Sequence, residues 1–272
     1  MHIRNIKAAL SNPGLGLEWL RWRYDGLRSA GNPAFSLING ARIGHFISFS
    51  EYHSITGCIS KTEQQFLLSQ VAETEGDVID IGANVGIVSM LLARQFPQRV
   101  IHAIEPAVST FAALEKNVLL NGFANVKSHR LAIADVAGSI AFNADPVVRA
   151  TARIAIESDP HIEMVEAVTL DAFVAREGIE RIGLLKIDVE GFESLVFRGA
   201  SETLAKRLPR IIFMEICPTL SASAGHDASE PARIVHESGY DWFRLEEDGS
   251  LVPVVPADTA EVYLENWIAR PR

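Results

Sequence analysis

The feature that most constrains the fold is an apolar segment that ends in a glycine-rich turn and continues as a helical pattern, within residues 77–93. The turn carries Gly82, Asn84 and Gly86, and apolar residues recur at helical spacing beyond it. In an open α/β sheet, a turn of this kind binds nucleotide-like ligands, because glycine lets the backbone approach the ligand and the helix N-terminus presents free N–H groups. The stretch therefore predicts a buried strand followed by a ligand-binding turn.

Beyond residue 77, apolar segments of strand length alternate with helical patterns, which indicates a parallel sheet with right-handed crossover connections. The further strands predicted for this sheet are 100–104, 126–131, 184–187 and 210–218. Three C-terminal segments are expected to pair antiparallel at its edge, namely 240–245, 251–254 and 266–269. We therefore predict an α/β fold with a central, mostly parallel sheet, helices on both faces and an antiparallel C-terminal edge.

The chain of 272 residues divides into residues 61–272, which carry this pattern, and an N-terminal extension, residues 1–60. Within the extension we predict a helix at 15–28, aromatic on much of its surface and basic on the rest, and a short strand or hairpin at 42–49. Such a helix suits packing on the domain, contact with a second subunit in a homo-oligomer, or a membrane interface. The extension is therefore expected to serve as a substrate cap or as an oligomer contact.

Composition narrows the expected partners and compartment. The chain has 25 Lys and Arg against 34 Asp and Glu, a formal net charge of −9, with no basic block, so a nucleic-acid backbone is not expected as a partner. No apolar stretch approaches the roughly 18 residues of a transmembrane helix, so no integral membrane segment is expected, although peripheral membrane contact stays open. Cys58 and Cys217 form neither a disulfide framework nor a metal-binding cluster, which makes a cytoplasmic location the expectation.

The residues that follow the first two strands indicate which ligand the turn binds. Dinucleotide binding typically uses G-x-G-x-x-G, but glycines stand in this turn only at Gly82 and Gly86, which weakens the case for a pyrophosphate site. The second strand ends in Glu105-Pro106, where the acid could accept two hydrogen bonds from a ribose diol. An acid at this point also occurs in NAD proteins. Together with D-I-G-A-N-x-G, however, it resembles the S-adenosylmethionine (SAM) site of class I methyltransferases.

Acidic side chains also stand at the ends of two later buried strands. Asp188 and Glu190 follow the apolar segment 184–187, and their spacing of two puts them on one side of the chain if it is still extended there. Glu215 lies toward the carboxyl end of the next strand. Core packing does not explain charge at these positions, whereas the ligand crevice of such a sheet lies at the carboxyl ends of its strands. We therefore expect Asp188 and Glu190 to have a functional role.

Other candidates come from less regular parts of the chain. His45 and His53 precede the glycine turn, where the extension could lie over the ligand pocket, although each could equally be structural. Residues 142–166, which include Arg153, form a long excursion typical of a lid or a substrate wall. Asp135 follows the third strand and either accepts a hydrogen bond from an adenine amino group or serves as a turn residue.

Several short motifs, taken in order over about residues 60 to 270, resemble the FkbM-type methyltransferase family. The matching pieces are I-D-I-G-A-N-V-G at 79–86, Glu105-Pro106, T-L-D at 169–171, K-I-D-V-E-G at 186–191, R-G-A at 198–200, and Glu215. The resemblance implies a Rossmann-like class I fold and a SAM-dependent enzyme, usually an O-methyltransferase that modifies a hydroxyl of a sugar, glycolipid or secondary metabolite. Residues 1–60 lie outside it.

The resemblance also assigns roles to individual residues. It implies SAM contacts at Asp80, Gly82, Asn84, Gly86 and Glu105, with Ala83 and Pro106 beside them, and Asp135 falls where class I methyltransferases hold the adenine. A role at the SAM methyl group or at the acceptor hydroxyl falls to Asp188 and Glu190. Candidate acceptor contacts are His45, His53, Arg153 and Glu215.

Methyl transfer to an alcohol needs collinear reacting atoms and a group that accepts the hydroxyl proton. Asp188 or Glu190 is the expected proton acceptor, and a histidine, His45, His53 or His161, is the alternative because its pKa suits the task. A magnesium ion held by Asp188, Glu190 and Glu215 is a further alternative, but we expect no metal because carboxylates beside SAM can instead complement its positive charge.

Three other function classes stay open. An NAD-dependent oxidoreductase would share the fold, a noncatalytic SAM-fold binding protein would keep the glycine turn, and an N- or C-methyltransferase would use the same cofactor. The expected partner is a small-molecule, glycan or glycolipid acceptor.

Overall fold

A central eight-stranded sheet organises the structure, a computed structural model that describes residues 13–28, 34–144, 153–156 and 160–272. Across the sheet the strands are β13 (Leu251–Val254), β12 (Tyr240–Leu245), β14 (Glu265–Pro271), β11 (Ile212–Ile216), β10 (Ile182–Ile187), β3 (Asp77–Ile81), β4 (Ile101–Ile104) and β5 (Val126–His129). Strands β11, β10, β3, β4 and β5 are parallel to one another. Strands β14, β12 and β13 continue the sheet in antiparallel pairing. The mostly parallel sheet and its antiparallel C-terminal edge are thereby confirmed.

Helices pack on both faces of this sheet. One core contains side chains of α3 (Lys61–Glu73), α4 (Ile87–Gln95) and α5 (Val108–Asn121), and the other contains side chains of α6 (Leu170–Glu177), α7 (Glu193–Arg198), α8 (Ser201–Ala205) and α10 (Ser229–Glu237). A further short helix, α9 (Pro218–Ser223), follows β11, and a 3₁₀ helix spans Pro256–Glu261. Along β3, Val78 enters the first core while Ile79 and Ile81 enter the second. Because both faces are covered, the central parallel strands are predominantly apolar, which is why the sequence predicted them.

The N-terminal extension forms helix α1 (Pro13–Arg28), a hairpin of β1 (Phe35–Ser36) and β2 (Arg42–Ile43), and helix α2 (Phe49–Thr56). The strand predicted over 42–49 is wrong beyond Ile43. Ser48 caps α2 by accepting a hydrogen bond from the Glu51 N–H at 3.1 Å, so the later part of the alternating pattern belongs to a turn and a helix.

The extension packs directly on the sheet domain. Its buried side chains, among them Ile43, Tyr52 and Ile55, belong to the same core as α4 and α5. Asn117 on α5 fixes this contact, since its Oδ1 accepts from the Gly44 N–H at 2.9 Å and its Nδ2 donates to the Val85 carbonyl at 2.8 Å. The buried side-chain amide of Asn117 therefore joins the glycine turn to the extension.

A second, four-stranded sheet follows β5, and the sequence did not predict it. Its strands lie in the order β6 (Ala132–Ile133), β9 (Ile162–Val168), β7 (Gly138–Asn143) and β8 (Arg153–Ile154). The strand predicted over 126–131 is interrupted after His129, and the excursion predicted as irregular over 142–166 is largely β structure where it is described. Residues 145–152 and 157–159 of that predicted lid or substrate wall lie outside the described residues.

Among the helices of the described ranges, none is both long and apolar enough to cross a bilayer. Helix α1 nevertheless carries an exposed apolar face, formed by Leu17, Leu20, Tyr24 and Leu27.

Candidate functional site

The glycine turn after β3 brings two strands into unusually close contact. Gly82 has φ +73°, and a Cβ on it would lie 1.7 Å from the backbone oxygen of Asp188, which follows β10. Gly86 has φ +93° and immediately precedes α4. A Cβ on Gly86 would lie 2.6 Å from the Leu114 side chain. Only glycine has both the conformation and the small size required at Gly82, so the turn lies directly against the start of the β10 loop.

Asp80 lies fully buried at the carboxyl end of β3 and lines a cavity there. Its Oδ2 accepts hydrogen bonds from the Ser89 N–H at 3.1 Å and the Ser89 hydroxyl at 2.6 Å, which fixes the carboxylate against α4. Its Oδ1 lies 3.4 Å from Lys186 Nζ and has no hydrogen-bond partner among the described residues. A buried carboxylate oxygen in this state is ready to accept from a donor on a ligand.

Lys186 is a buried cation beneath the same cavity. Its Nζ donates to the Gly82 carbonyl at 2.9 Å and lies 3.3 Å from Asp188 Oδ2. Burial lowers the pKa of Lys186, but the carboxylates of Asp188 and Asp80 outweigh burial and raise that pKa above its ordinary value. Lys186 was recognised only as part of the K-I-D-V-E-G motif, although a charged residue within a buried apolar strand by itself indicates a functional position.

Asp188 and Glu190 are presented by a turn, not by an extended strand. β10 ends at Ile187, and Glu190 and Gly191 both have positive φ, +57° and +96°. The chain is therefore not extended through Glu190, as the spacing argument required, although both acids line the same cavity. The turn is held by Glu193, a residue that the sequence analysis did not single out, whose Oε1 accepts from the Gly191 N–H at 3.1 Å. A non-glycine residue in the left-handed region is a strained conformation of the kind that clusters at functional sites.

The first cavity is strongly acidic. Four carboxylates line it, Asp80, Asp188, Glu190 and Glu215, against the single lysine Lys186. Burial, and then the charge of Asp188, raises the pKa of both Glu190 and Glu215 above the ordinary value. This excess of acidic groups favours a ligand that carries positive charge, since such a ligand would stabilise the ionised carboxylates.

The second cavity adjoins the first and is largely apolar. Its walls include Pro106, Ile133, Phe142 and Ile154, with Glu105 as the acid. The Glu105 oxygens accept from the backbone N–H groups of Asn84 at 3.1 Å and Ala107 at 3.0 Å, and burial raises the pKa of Glu105 to about 7. Such a slot suits a flat, apolar ring beside a hydroxyl-bearing group that donates to the carboxylate.

Gly82 and Asp188 line both cavities, so the two spaces meet at the glycine turn. A ligand with a planar ring at one end, hydroxyl groups in the middle and a cationic end fits this combined shape and charge. The arrangement can therefore bind a nucleoside-like cation and place its charged end beside several carboxylates.

The structure brings together most of the predicted cofactor residues, the two predicted catalytic residues Asp188 and Glu190, and the acceptor candidate Glu215. Those lining the first cavity are Asp80, Gly82, Ala83, Asn84, Asp188, Glu190 and Glu215, and those lining the second are Gly82, Glu105, Pro106 and Asp188. Gly86 immediately precedes α4 and does not line either cavity. Asp135 is half-buried after β6 and is likewise not among the lining residues.

The predicted acceptor residues other than Glu215 lie outside these walls. His53 Nδ1 lies 2.8 Å from Glu18 Oε2, so this half-exposed imidazole pairs with α1 and not with the cavity. His45 has φ +65° and lies in the loop between β2 and α2, away from the lining residues. Arg153 lies on β8, and its charge opposes the rise in the pKa of Glu190 that burial causes.

Three polar residues of the first cavity were missed. Ser54 and Cys58 come from α2 and the segment after it, and Asn266 comes from β14, where it pairs in register with Glu215. They reach the cavity only through tertiary packing of the N-terminal extension and of the C-terminal edge strand, and no local pattern marked them.

Known methyltransferases resemble more than half of this chain. The family described as "Methyltransferase FkbM domain" matches residues 80–241, more than half of the chain. Methyltransferase 1 of Beauveria bassiana (strain ARSEF 2860) is 25% identical over 160 residues, which cover 52% of this chain and 64% of that protein. The 31-O-demethyl-FK506 methyltransferase FkbM of Streptomyces tacrolimicus is 28% identical over 208 residues, which cover 65% of this chain and 78% of that protein.

Among solved structures, the methyltransferase FkbM from Methylobacillus flagellatus KT is similar with a TM-score of 0.46 and 12% identity, over 72% of this chain and 43% of that chain. The chain spans less than two thirds of the length of the Beauveria protein. The family match itself runs from Asp80, through the glycine turn and Glu105, to the turn of Asp188 and Glu190 and on to Glu215, so it contains both cavities' acidic residues. On that match, the chain belongs to the FkbM methyltransferase domain family.

Proposed function

We propose that this protein is a SAM-dependent methyltransferase that methylates a hydroxyl group of a small-molecule or glycan acceptor. The observation that carries the proposal is the junction of two unlike cavities at Gly82 and Asp188. One is apolar with Glu105, and the other is acidic and includes Asp80, whose Oδ1 accepts no hydrogen bond from the described residues. This combination suits a nucleoside joined to a cationic amino acid, as in SAM.

The residues present fit SAM at each part of the molecule. Glu105 would accept from the ribose hydroxyls, and the apolar wall with Ile133 and Phe142 would hold the adenine. The buried Oδ1 of Asp80 would accept from the α-amino group, which supplies the donor that this oxygen lacks. Gly82 lines both cavities, and its lack of a side chain lets the turn lie directly against the Asp188 backbone at the point where the cavities meet.

SAM supplies a methyl group on a positively charged sulfur, which an oxygen nucleophile can attack in line. Asp188 is already paired with the Lys186 ammonium, so its role is to orient the acceptor or the cofactor. Glu190 is the better proton acceptor, because burial and the neighbouring charge of Asp188 raise its pKa toward the pH at which the enzyme works. We therefore assign the general base to Glu190 and the positioning of the acceptor to Asp188.

The outer wall of the first cavity supports an acceptor with several hydroxyl groups. Glu215, Asn266, Ser54 and Cys58 all offer polar atoms there, and two of them come from the N-terminal extension. In this proposal the extension, residues 1–60, acts as a cap that completes the acceptor pocket. A polyol or sugar could use these groups for orientation, which collinear methyl transfer requires.

The exposed face of α1 supports an acceptor that is presented at a membrane surface. Leu17, Leu20 and Leu27 are exposed on this helix together with the exposed Arg21 and Arg23, on a chain of net charge −9. Apolar and basic groups on one amphipathic helix favour contact with anionic lipids. The double substitution Leu17→Ser/Leu20→Ser should abolish sedimentation with phosphatidylglycerol vesicles. Unchanged sedimentation with vesicles would contradict this part of the proposal. So would a change of oligomeric state with no change in vesicle binding, because α1 would then serve as a subunit contact.

The direct test of the activity is transfer of labelled methyl from SAM to a panel of sugar, glycolipid and polyketide alcohols, with product identification by mass spectrometry and NMR. An O-methyl product that depends on Glu190 is the expected result. A product methylated at nitrogen or carbon would contradict the hydroxyl assignment, and no transfer to any acceptor by a protein that binds SAM would favour a noncatalytic role.

A further inference from the structure

Away from both cavities, two histidines and a glutamate converge beneath helix α6. His102 lies on β4, His129 ends β5 and Glu177 ends α6. Within the described part of the chain, these three residues have ligand atoms that all lie within 4.8 Å of one another. None of the three lines either cavity of the proposed active site, so the function proposed above does not use them.

The three residues belong to a chain of side chains that begins at Asp77. Asp77 Oδ2 lies 3.2 Å from His102 Nε2, and His102 Nδ1 lies 3.1 Å from His129 Nε2. At the far end, His129 Nδ1 lies 4.0 Å from Glu177 Oε1. His102 is buried, whereas His129 and Glu177 keep 13% and 19% of their side chains exposed, which leaves a route from solvent to the cluster.

Two neutral imidazoles leave at least one lone pair of this chain without a donor among the described residues. If His102 donates from Nε2 to Asp77, its Nδ1 presents a lone pair to His129. His129 can then place its single proton on Nε2, which leaves a bare Nδ1 4.0 Å from the Glu177 carboxylate, or on Nδ1, which leaves two lone pairs facing each other at 3.1 Å. In either arrangement an imidazole lone pair is available to a cation.

We propose that His102 Nδ1, His129 Nε2 and a Glu177 carboxylate oxygen bind one divalent transition-metal ion, with zinc as the best fit. Zinc takes imidazole and carboxylate ligands at about 2.0–2.2 Å in tetrahedral geometry, so two nitrogen ligands lie about 3.4 Å apart, close to the separation of the two imidazoles. The Glu177 carboxylate faces His129 Nδ1 at 4.0 Å, so it must turn toward Nε2 to reach the ion, and its partly exposed position at the end of α6 leaves room for this movement. Two imidazoles and one carboxylate favour zinc, cobalt or nickel over magnesium.

Asp77 supports this assignment from outside the ligand set. A histidine that binds metal through one ring nitrogen usually donates from the other to a carboxylate, which fixes the tautomer and orients the ring. The Asp77 contact with His102 Nε2 has this geometry. The ion would join β4, β5 and α6 at the edge of the parallel sheet, so its role would be structural.

The ion would also compete with charges that already surround Glu177. Lys127 Nζ lies 3.6 Å from Glu177 Oε2, and Arg176 Nε lies 3.7 Å from Oε1. These contacts are long and partly exposed, and so they neutralise the carboxylate only weakly. They would lower the affinity for the ion without closing the site.

The test is a titration of the full-length, chelator-treated protein with Co²⁺, followed by visible absorption, and then by displacement with Zn²⁺. We expect one tetrahedral cobalt site per chain with no thiolate charge-transfer band. His129→Gln should lose saturable binding, Glu177→Gln should weaken it, and Asp77→Asn should weaken it by about ten- to a hundred-fold. Zinc should also raise the melting temperature of the wild type and not that of His129→Gln.

Two control variants separate this site from other places where a cation could bind. His236→Gln removes a partly exposed histidine that faces Asp241, and Glu190→Gln removes an acid of the first cavity. Both should leave cobalt binding unchanged. The proposal would be overturned if the folded wild type did not bind cobalt. It would also be overturned if Glu177→Gln bound cobalt as the wild type does while Glu190→Gln lost the binding.

Discussion

The backbone oxygen of Asp188 lies 1.7 Å from the position that a Cβ on Gly82 would occupy. The substitution Gly82→Ala should therefore force β3 and the β10 loop apart. We expect a loss of stability of about 3 kcal/mol or more, because the residue combines positive φ with a backbone clash. Urea unfolding measures the effect.

Gly122→Ala is the matched control for that prediction. Gly122 has φ +67°, but nothing lies within 4 Å of the Cβ position, so only the conformational cost of about 1 kcal/mol should appear. Equal losses in the two variants would mean that the close contact between Gly82 and Asp188 does not matter.

Lys186→Met should be among the most damaging substitutions. It leaves Asp80 fully buried without its cation and removes the partner of Asp188, so we expect a loss of about 3–5 kcal/mol. Lys206→Met provides the comparison, because Lys206 pairs with Glu202 on the exposed surface and its loss should change the stability far less. A loss below 1 kcal/mol in Lys186→Met, measured by urea unfolding, would show that the buried network is not needed.

The pH dependence of stability should report the buried acids. Burial raises the pKa of Glu105 and of Glu193 from 4.5 to about 7, and the pKa values of Glu190 and Glu215 are raised as well. A raised carboxyl pKa means that the folded state holds the proton more tightly than the unfolded chain, so stability is lost as pH rises through the folded pKa.

The two buried histidines oppose this trend only at lower pH. Burial lowers the pKa of His102, and it lowers the pKa of His129 from 6.5 to about 4, so these groups cost stability as pH falls below 6.5. Between pH 6.5 and about 8 the carboxyl groups should dominate, and toward pH 9 the Cys58 thiol, whose pKa is also raised by desolvation, should act in the same direction. We expect the melting temperature of the ligand-free protein to fall between pH 6.5 and 9, less steeply in Glu215→Gln. A melting temperature that rises over this range would contradict the assignment.

Glu190→Gln should abolish most of the activity while SAM still binds. A general base contributes about 10²- to 10⁴-fold to the rate, so kcat should fall by that factor. In the wild type, kcat should rise with pH as Glu190 ionises, whereas the residual activity of the variant should lose this dependence. Glu202→Gln, an exposed acid outside the cavities, should behave as wild type. An unchanged pH profile in Glu190→Gln would assign the base elsewhere.

The sequence predicted the parallel sheet because each central strand is buried on both faces. Val78 and Ile79 point to opposite sides of β3 and both enter a core, so apolar residues occupy successive positions of the strand. Gly82 and Glu105 were recognisable because each stands at the end of such a strand, where an apolar run stops at a residue with special conformational or hydrogen-bonding properties.

Other parts of the site depend on tertiary packing and had no local signal. Ser54 and Asn266 reach the first cavity from opposite ends of the chain. The turn at Glu190 could not be inferred from a spacing of two residues, because Glu193 bends the backbone there through its own hydrogen bonds. Two strands of the second sheet, β6 and β8, have only two residues each and are too short to give a periodic pattern.

The most direct test of the proposed cofactor site is calorimetric titration of the full-length protein with SAM, with NAD as the comparison ligand. We expect the wild type to bind one SAM per chain and to show no measurable binding of NAD. In both Glu105→Gln and Asp80→Asn, the affinity for SAM should fall at least about tenfold, a loss of roughly 1.4 kcal/mol. Glu202→Gln should bind SAM as the wild type does. A folded wild type that binds NAD and not SAM would contradict the account.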